Sequence, residues 1–313
     1  MGFEHQTVLL MEAVNALQVV PTGIYVDATF GRGGHSREIL RRLGPEGRLL
    51  AIDRDPDAIA AGAAMVAADT RFALVQGNFS ALASVIDARN WRGRVNGLLL
   101  DLGVSSPQLD DPARGFSFMR DGPLDMRMNP HEGMDAATYL AKAGAEELQT
   151  VFSELGEERF SRRIAQAIVR TRDARPLTTT RELAELVAAS VPTREPGKHP
   201  ATRVFQALRI HINGELGQLV EALTQALDLL APNGRLVVIS FHSLEDRIVK
   251  RFMQHHASGP QLPRGMPLPA NMPLPKLSLV GKAVRASDAE VAANPRARSA
   301  MLRIAERQAV AHG

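Results

Sequence analysis

Four short apolar runs constrain this chain most, because each stops abruptly at an acid or a glycine turn. Ile24-Tyr25-Val26 stops at Asp27, Arg48 to Ile52 stops at Asp53, and Val95 to Leu100 stops at Asp101. Phe72 to Val75 runs into Gly77-Asn78-Phe79. Runs of this length and composition suit strands buried on both faces of a parallel sheet. Between them lie stretches with helical spacing, Arg37–Leu43 and Pro56–Ala68. The second opens on Asp55-Pro56, an N-cap followed by proline at the first helical position. Strands alternating with helices predict an α/β fold built on an open, Rossmann-like sheet.

The next run of this kind is Gly234 to Ser240, about 130 residues beyond Asp101, whereas a crossover needs on the order of 30. A structureless loop of that size is not expected in a compact domain. The chain is therefore read as a first core part, residues 1–109, an inserted mainly helical domain, 110–200, and a second core part, 201–313. Helical spacing runs through Glu157–Thr171 and Thr180–Ser190, with prolines at 176, 192, 196 and 200 between segments. The Pro/Gly-rich stretch from Gly259 to Pro275 reads as an exposed loop. Lys276–Arg285 and Ser299–Arg307 offer two last strands.

Composition narrows the chemistry. The chain has no cysteine, which excludes disulfides, thiolate metal sites and any cysteine nucleophile, and fits a cytoplasmic protein. No apolar stretch is long enough to span a bilayer, so no membrane partner is expected, and no basic leader precedes the Val8-Leu9-Leu10-Met11 run. The formal charge is only +3, so nucleic-acid binding depends on where the cations sit.

Ligands of open α/β sheets bind beyond the carboxyl ends of the strands, where Asp27, Asp53, Phe79 and Asp101 fall. Gly31-Arg32-Gly33-Gly34-His35-Ser36 resembles a dinucleotide fingerprint with Ser36 at the third glycine position. A tight strand-to-helix turn would read the same way. Asp53 lies about 20 residues on, where an acid accepts hydrogen bonds from ribose hydroxyls. Two cofactor classes share this layout, a nicotinamide dinucleotide and S-adenosylmethionine. Acids after strands one, two and four suit the cationic S-adenosylmethionine better, with Asp27 or its loop toward the ammonium, Asp53 toward the ribose and Phe79 toward the adenine. Gln108 offers a further polar contact. No metal is expected, since His35 has no acid or histidine at ligand spacing. The alternatives are a nicotinamide-dependent oxidoreductase, against which Ser36 and Asp101 argue, and a non-catalytic RNA-binding assembly factor.

Longer strings carry a resemblance. They are His5-Gln6-Thr7-Val8-Leu9-Leu10, Asp27 to Ser36, Asp53-Arg54-Asp55-Pro56, Asp101 to Asp110, Gly115-Phe116-Ser117-Phe118, Gly122 to Met128, Phe205 to Ile210 and Ser240 to Arg247. In this order, from His5 to about Arg307, the chain resembles the bacterial ribosomal small-subunit RNA methyltransferase H family (RsmH/MraW). The one departure is Asn129, where that pattern leads us to expect an acid. The resemblance implies a class I methyltransferase sheet with an inserted helical domain. It also implies S-adenosylmethionine-dependent N4-methylation of a cytidine in the decoding centre, the P site, of 16S ribosomal RNA. Its cofactor contacts fall on Gly33, Gly34, His35, Asp53, Phe79, Asp101 and Gln108. The partner so implied is 16S rRNA within the small ribosomal subunit; a homodimer is left open.

Asp101 is the candidate catalytic acceptor, with Ser105, Ser106 and His242 as weaker ones. Phe116 and Phe118 are candidates for stacking on a base, or for core packing. Arg159, Arg163 and Arg170 fall within about 40° on one helical face, a candidate RNA-phosphate surface beside the apolar residues Phe160, Ile164, Ala167 and Ile168. Phe205, Leu208, Ile212, Leu216 and Leu219 read as the core stripe of a packing helix, with Arg203 and Arg209 as its polar exceptions.

Overall fold

The computed structural model describes residues 7–193, 197, 199–258 and 274–309. His5, Gln6, Pro196 and most of the Pro/Gly-rich stretch, 259–273, lie outside the described residues. The first elements are α1 (Leu10–Ala16), β1 (Ile24–Asp27), α2 (Gly34–Arg42), β2 (Arg48–Asp53), α3 (Pro56–Ala68), β3 (Phe72–Gln76), α4 (Leu82–Asp87) and β4 (Val95–Asp101). Then come α5 (Ser106–Asp110), α6 (Ala136–Lys142), α7 (Ala145–Glu154), α8 (Ser161–Ala174), α9 (Thr180–Ser190), α10 (Thr202–Asn213) and α11 (Glu215–Leu229). The chain closes with β5 (Leu230–Ser240), α12 (Ser243–Ser258), β6 (Leu277–Leu279), β7 (Val284–Arg285), α13 (Asp288–Ala293) and β8 (Met301–Arg307). The final apolar region thus forms three short strands where two were expected.

The chain divides into two compact units, Met1–Gly103 with Leu216–Gly313, and Val104–Glu215. The second unit starts earlier and ends later than the 110–200 of the sequence reading, and it takes in α10.

In the first unit the sheet order is β3-β2-β1-β4-β5-β8-β6, with β7 paired to β8. β3 to β5 are parallel to their neighbours, and β8 runs antiparallel to β5. Strand pleating sends alternate residues to opposite faces, and both faces are covered. Val26, Leu50, Ile52, Leu98, Leu100, Leu236 and Val238 pack with Leu223 of α11 and Val249 of α12. Tyr25, Leu49, Ala51, Leu99, Val237 and Ile239 pack with Val14 of α1 and Ile39 of α2. This is why the strands read as unbroken apolar runs. α3 begins as expected: the Asp55 side chain accepts the Asp57 N–H at 3.0 Å, with Pro56 at the first helical position.

The second unit has its own helical core, including Phe152, Ile164, Ile168, Leu183, Val187, Phe205 and Leu208. Phe116 is buried in it, and Phe118 lies edge-on to Phe205 with ring centroids 4.8 Å apart. These aromatics are packing residues. Buried Asn213 ties α10 to the preceding loop, accepting the Met128 N–H at 2.8 Å and donating to the Met126 carbonyl at 2.7 Å. Arg209 makes a bidentate pair with Glu215 at 2.8 and 2.9 Å, and Arg203 donates to the Glu157 carbonyl.

Two helical readings need correction. The stripe Phe205, Leu208, Ile212, Leu216 and Leu219 does not lie on one helix. Gly214, at φ 62°, is the left-handed C-cap of α10, so Leu216 and Leu219 belong to α11. Arg159 precedes α8, which begins only at Ser161 after the positive-φ residue Glu157. It therefore does not share a helical face with Arg163 and Arg170, although all three are exposed.

Candidate active site

Strand order reverses between β1 and β4, which makes their carboxyl ends the topological switch point where ligands of such sheets bind. Asp27 ends β1 and Asp101 ends β4. The two ends are tied together, since the Asp101 N–H donates to Thr29 Oγ1 at 2.7 Å and the Ala28 N–H to the Leu99 carbonyl at 2.9 Å.

Asp27 is fully buried. Ser36 Oγ donates to its carboxylate at 2.6 Å and the Thr29 N–H at 3.2 Å. Burial nevertheless pushes its pKa up to about 6, because desolvation of the charge outweighs the two hydrogen bonds. Ser36 at the third glycine position thus acts as the donor that holds Asp27.

The glycine turn between β1 and α2 is sterically exacting. Gly33, at φ 73°, caps α2 in the left-handed region, and a Cβ there would lie 2.7 Å from the Phe30 ring. A Cβ on Gly34 would lie 1.8 Å from Thr7 Oγ1. Both glycines are therefore required by packing. Gly31, at φ 55°, has open space where its Cβ would be, so a ligand can approach the backbone there. Its N–H donates to Asp53 Oδ2 at 2.7 Å, while Asp53 Oδ1 accepts the Asp55 N–H at 2.9 Å. Burial raises the pKa of Asp53 and these N–H donors oppose the rise.

Asp101 is the most perturbed acid of the group. Its side chain is 24% exposed, yet Oδ1 is sequestered without a hydrogen-bond partner among the described residues. Oδ2 lies 3.7 Å from Nδ1 of buried His35, beyond hydrogen-bond reach. Its pKa is raised well above the ordinary range by burial first, then by the negative charges of Asp27 and Glu245. Glu245, in the first turn of α12, accepts the Phe241 and His242 N–H groups at 2.8 and 3.3 Å, and its Oε1 lies 3.0 Å from His242 Nε2. His242 is held in the turn that follows β5.

Phe79 opens a short 3₁₀ turn and packs partly buried against the core. Gln225 of α11 holds that turn from both sides, donating to the Ser80 carbonyl at 2.6 Å and accepting the Ala83 N–H at 2.7 Å. The local pattern gave no role to Gln225, Thr29 or Glu245, whose partners are distant in sequence or unremarkable in type, and marked Ser36 only as a departure from the glycine fingerprint. Gln108, Ser105 and Ser106 lie in the second unit. There Gln108 Oε1 accepts the Ser105 N–H at 2.8 Å as part of a capping box, and Ser106 is the first residue of α5.

In the first unit, buried Asp27 at the end of β1 and half-buried Asp101 at the end of β4, joined by Glu245 after β5, form a site of negative potential that a cationic ligand relieves. The open space at Gly31 and the unpartnered Asp101 Oδ1 fit such a ligand. A Rossmann-like sheet with acids at its switch point and a glycine turn after β1 fits the class I methyltransferases, which use S-adenosylmethionine. The family match makes this specific: residues 2–308 match the MraW methylase family, and the chain belongs to it.

The chain is also similar, at low identity, to several solved structures. An rRNA methylase of Clostridium thermocellum has TM-score 0.46 and 12% identity, over 96% of this chain and 98% of that one. An rRNA methylase of Streptococcus thermophilus has TM-score 0.43 and 10% identity, over 97% and 98%. Fibrillarin of Aeropyrum pernix with bound S-adenosyl-L-methionine has TM-score 0.38 and 10% identity, over 94% and 73%.

Proposed function

We propose that this methyltransferase transfers its methyl group to the exocyclic N4 of a cytidine in the decoding centre of 16S ribosomal RNA. Membership of the MraW methylase family supports this reading, and the observation that carries it is Asp101 at the switch point, a half-buried carboxyl whose sequestered Oδ1 has no partner among the described residues. Bound S-adenosylmethionine supplies an electrophilic methyl group. Asp53 accepts the ribose hydroxyls, Phe79 faces the adenine, and Asp27 and Asp101 supply the negative potential for the cationic end. Gly33 and Gly34 shape the turn, with His35 behind it and Gln108 as a further polar contact.

The cytosine amine is a poor nucleophile because its lone pair is delocalised into the ring. An acceptor that holds one N–H favours the pyramidal geometry of attack and takes the proton as the N–C bond forms. Asp101 is that acceptor, and a cation beside it restores the carboxylate that burial disfavours. Ser105, Ser106 and His242 are the next candidates for orienting the amine. Alignment supplies most of the acceleration. Methylation at C5 usually requires a cysteine thiolate to add at C6, and the chain has no cysteine.

The test is transfer of labelled methyl onto small subunits that lack the modification, with nucleosides identified by chromatography and mass fragmentation. N4-methylcytidine is expected, and Asp101→Ala should severely reduce it. A cofactor titration of Asp101→Asn separates lost binding from lost chemistry. A methyl on C5 or on a ribose oxygen would sink the mechanism.

A further inference from the structure

α12 (Ser243–Ser258) buries Val249 and Met253 in the core of the first unit. On the opposite side Arg247, Lys250, Arg251, Gln254 and His255 are exposed. Their spacing of i, i+3, i+4, i+7 and i+8 places them in one stripe. No acid interrupts it: Glu245 is buried at the start of the helix, and Asp246 is engaged by Arg303 at 2.6 and 3.0 Å. By contrast, exposed Arg41 is paired with Glu38 and Arg92 with Asp87. Among the described residues, Lys250 and Arg251 have no carboxylate within ion-pair distance.

From these observations we infer that the outer face of α12 is a phosphate-binding track for the RNA substrate, with Lys250 and Arg251 at its centre. The inference rests on the reading that the substrate is RNA. A rise of about 1.5 Å per residue spreads Arg247 to His255 over roughly 12 Å. That distance spans about three phosphates of one strand at about 3.4 Å each along a helix axis. The track starts near the reaction centre, because Asp101 pairs with Ile239 near the end of β5 and α12 begins at Ser243, just after that strand. It continues at the far end with exposed Lys276, whose N–H donates to the His256 carbonyl at 3.0 Å. His255 and Lys276 both depress the pKa of His256, after its burial, which marks a local excess of positive charge.

The test compares the full-length protein with K250Q/R251Q and with the charge-preserving K250R/R251K. The probe is fluorescein-labelled oligocytidylate, titrated across a salt series. K250Q/R251Q should bind about tenfold more weakly at 0.1 M salt, with a salt slope lower by about 0.7 for each phosphate no longer neutralised. K250R/R251K should bind as the parent does, and all three should share one melting temperature and one cofactor affinity. Equal RNA affinity and salt slope in K250Q/R251Q and parent would overturn the track, whatever the methylation result. Loss of binding to phosphatidylglycerol vesicles, with RNA binding unchanged, would also overturn it and assign the stripe to an anionic lipid surface. Subunit methylation by the parent is measured in parallel. If the parent binds RNA through the stripe but forms no N4-methylcytidine, the proposed chemistry fails and the track stands. If the parent does not bind the RNA, both fail.

Discussion

The carboxylate of Asp53, at the end of β2, accepts the backbone N–H of Gly31, in the turn after β1, at 2.7 Å. One acid thereby fixes the glycine turn from the end of the neighbouring strand. Asp53→Ala should weaken S-adenosylmethionine binding, since a lost hydrogen bond to a charged acceptor costs about 1.5–3 kcal/mol. Calorimetric titration checks this, and Asp53→Asn, which keeps one acceptor oxygen, should lose less. Unchanged affinity in both variants would remove Asp53 from the site.

Asp27 should make stability fall as pH rises. Its folded pKa, about 6, lies above the ordinary value of 3.8, so the folded state binds more protons between these values. Its relative stabilisation is full below about 4 and lost through 6. Asp27→Asn should therefore be more stable than the parent at pH 8, by up to about 3 kcal/mol for a shift of this size. The two melting curves should converge toward pH 4. A gap that widens on acidification would contradict the assigned direction.

Gly34 is set by packing against Thr7. Gly34→Ala places a Cβ 1.8 Å from Thr7 Oγ1 and 2.8 Å from its Cβ, and overpacking of this kind costs about 1–3 kcal/mol. Thermal melts should show the loss, with partial recovery in Gly34→Ala/Thr7→Gly. No recovery would mean that the strain lies elsewhere.

The exposed arginines of the second unit can be separated by structure. Arg163 and Arg170 share a face of α8, while Arg159 stands before it. If this face meets phosphates, replacing Arg163 and Arg170 with glutamine should lower the salt slope of RNA binding by about 0.7–0.9 per phosphate released. Cofactor affinity should stay at the parent value. Identical slopes would leave these residues as a solvated face.

Much of the scaffold was legible because it is written in local periodicity. Pro56–Ala68 and Thr180–Ser190 are helices over the residues expected, since proline, caps and apolar spacing act within a few positions. Asp27, Asp53 and Asp101 stand at strand ends because the apolar runs stop where the sheet gives way to its connecting turns. The same locality misled where one turn decides the outcome. Gly214 in the left-handed region splits a stripe that continues in sequence across two helices, and Glu157 at φ 50° lies in the turn that leaves Arg159 ahead of α8.

Sequence by itself determined the sheet, the helical insertion and which acids end the strands. Only the tertiary structure decided what those acids experience. Thr29 reaches the Asp101 N–H across 72 positions and Gln225 reaches Ser80 across 145. Asp101 is perturbed by burial first, and then by Asp27 at the end of β1 and Glu245 in the first turn of α12. Desolvation and charge coupling depend on distance through space, and that distance is set by the order in which strands pair, which no local pattern of residues encodes.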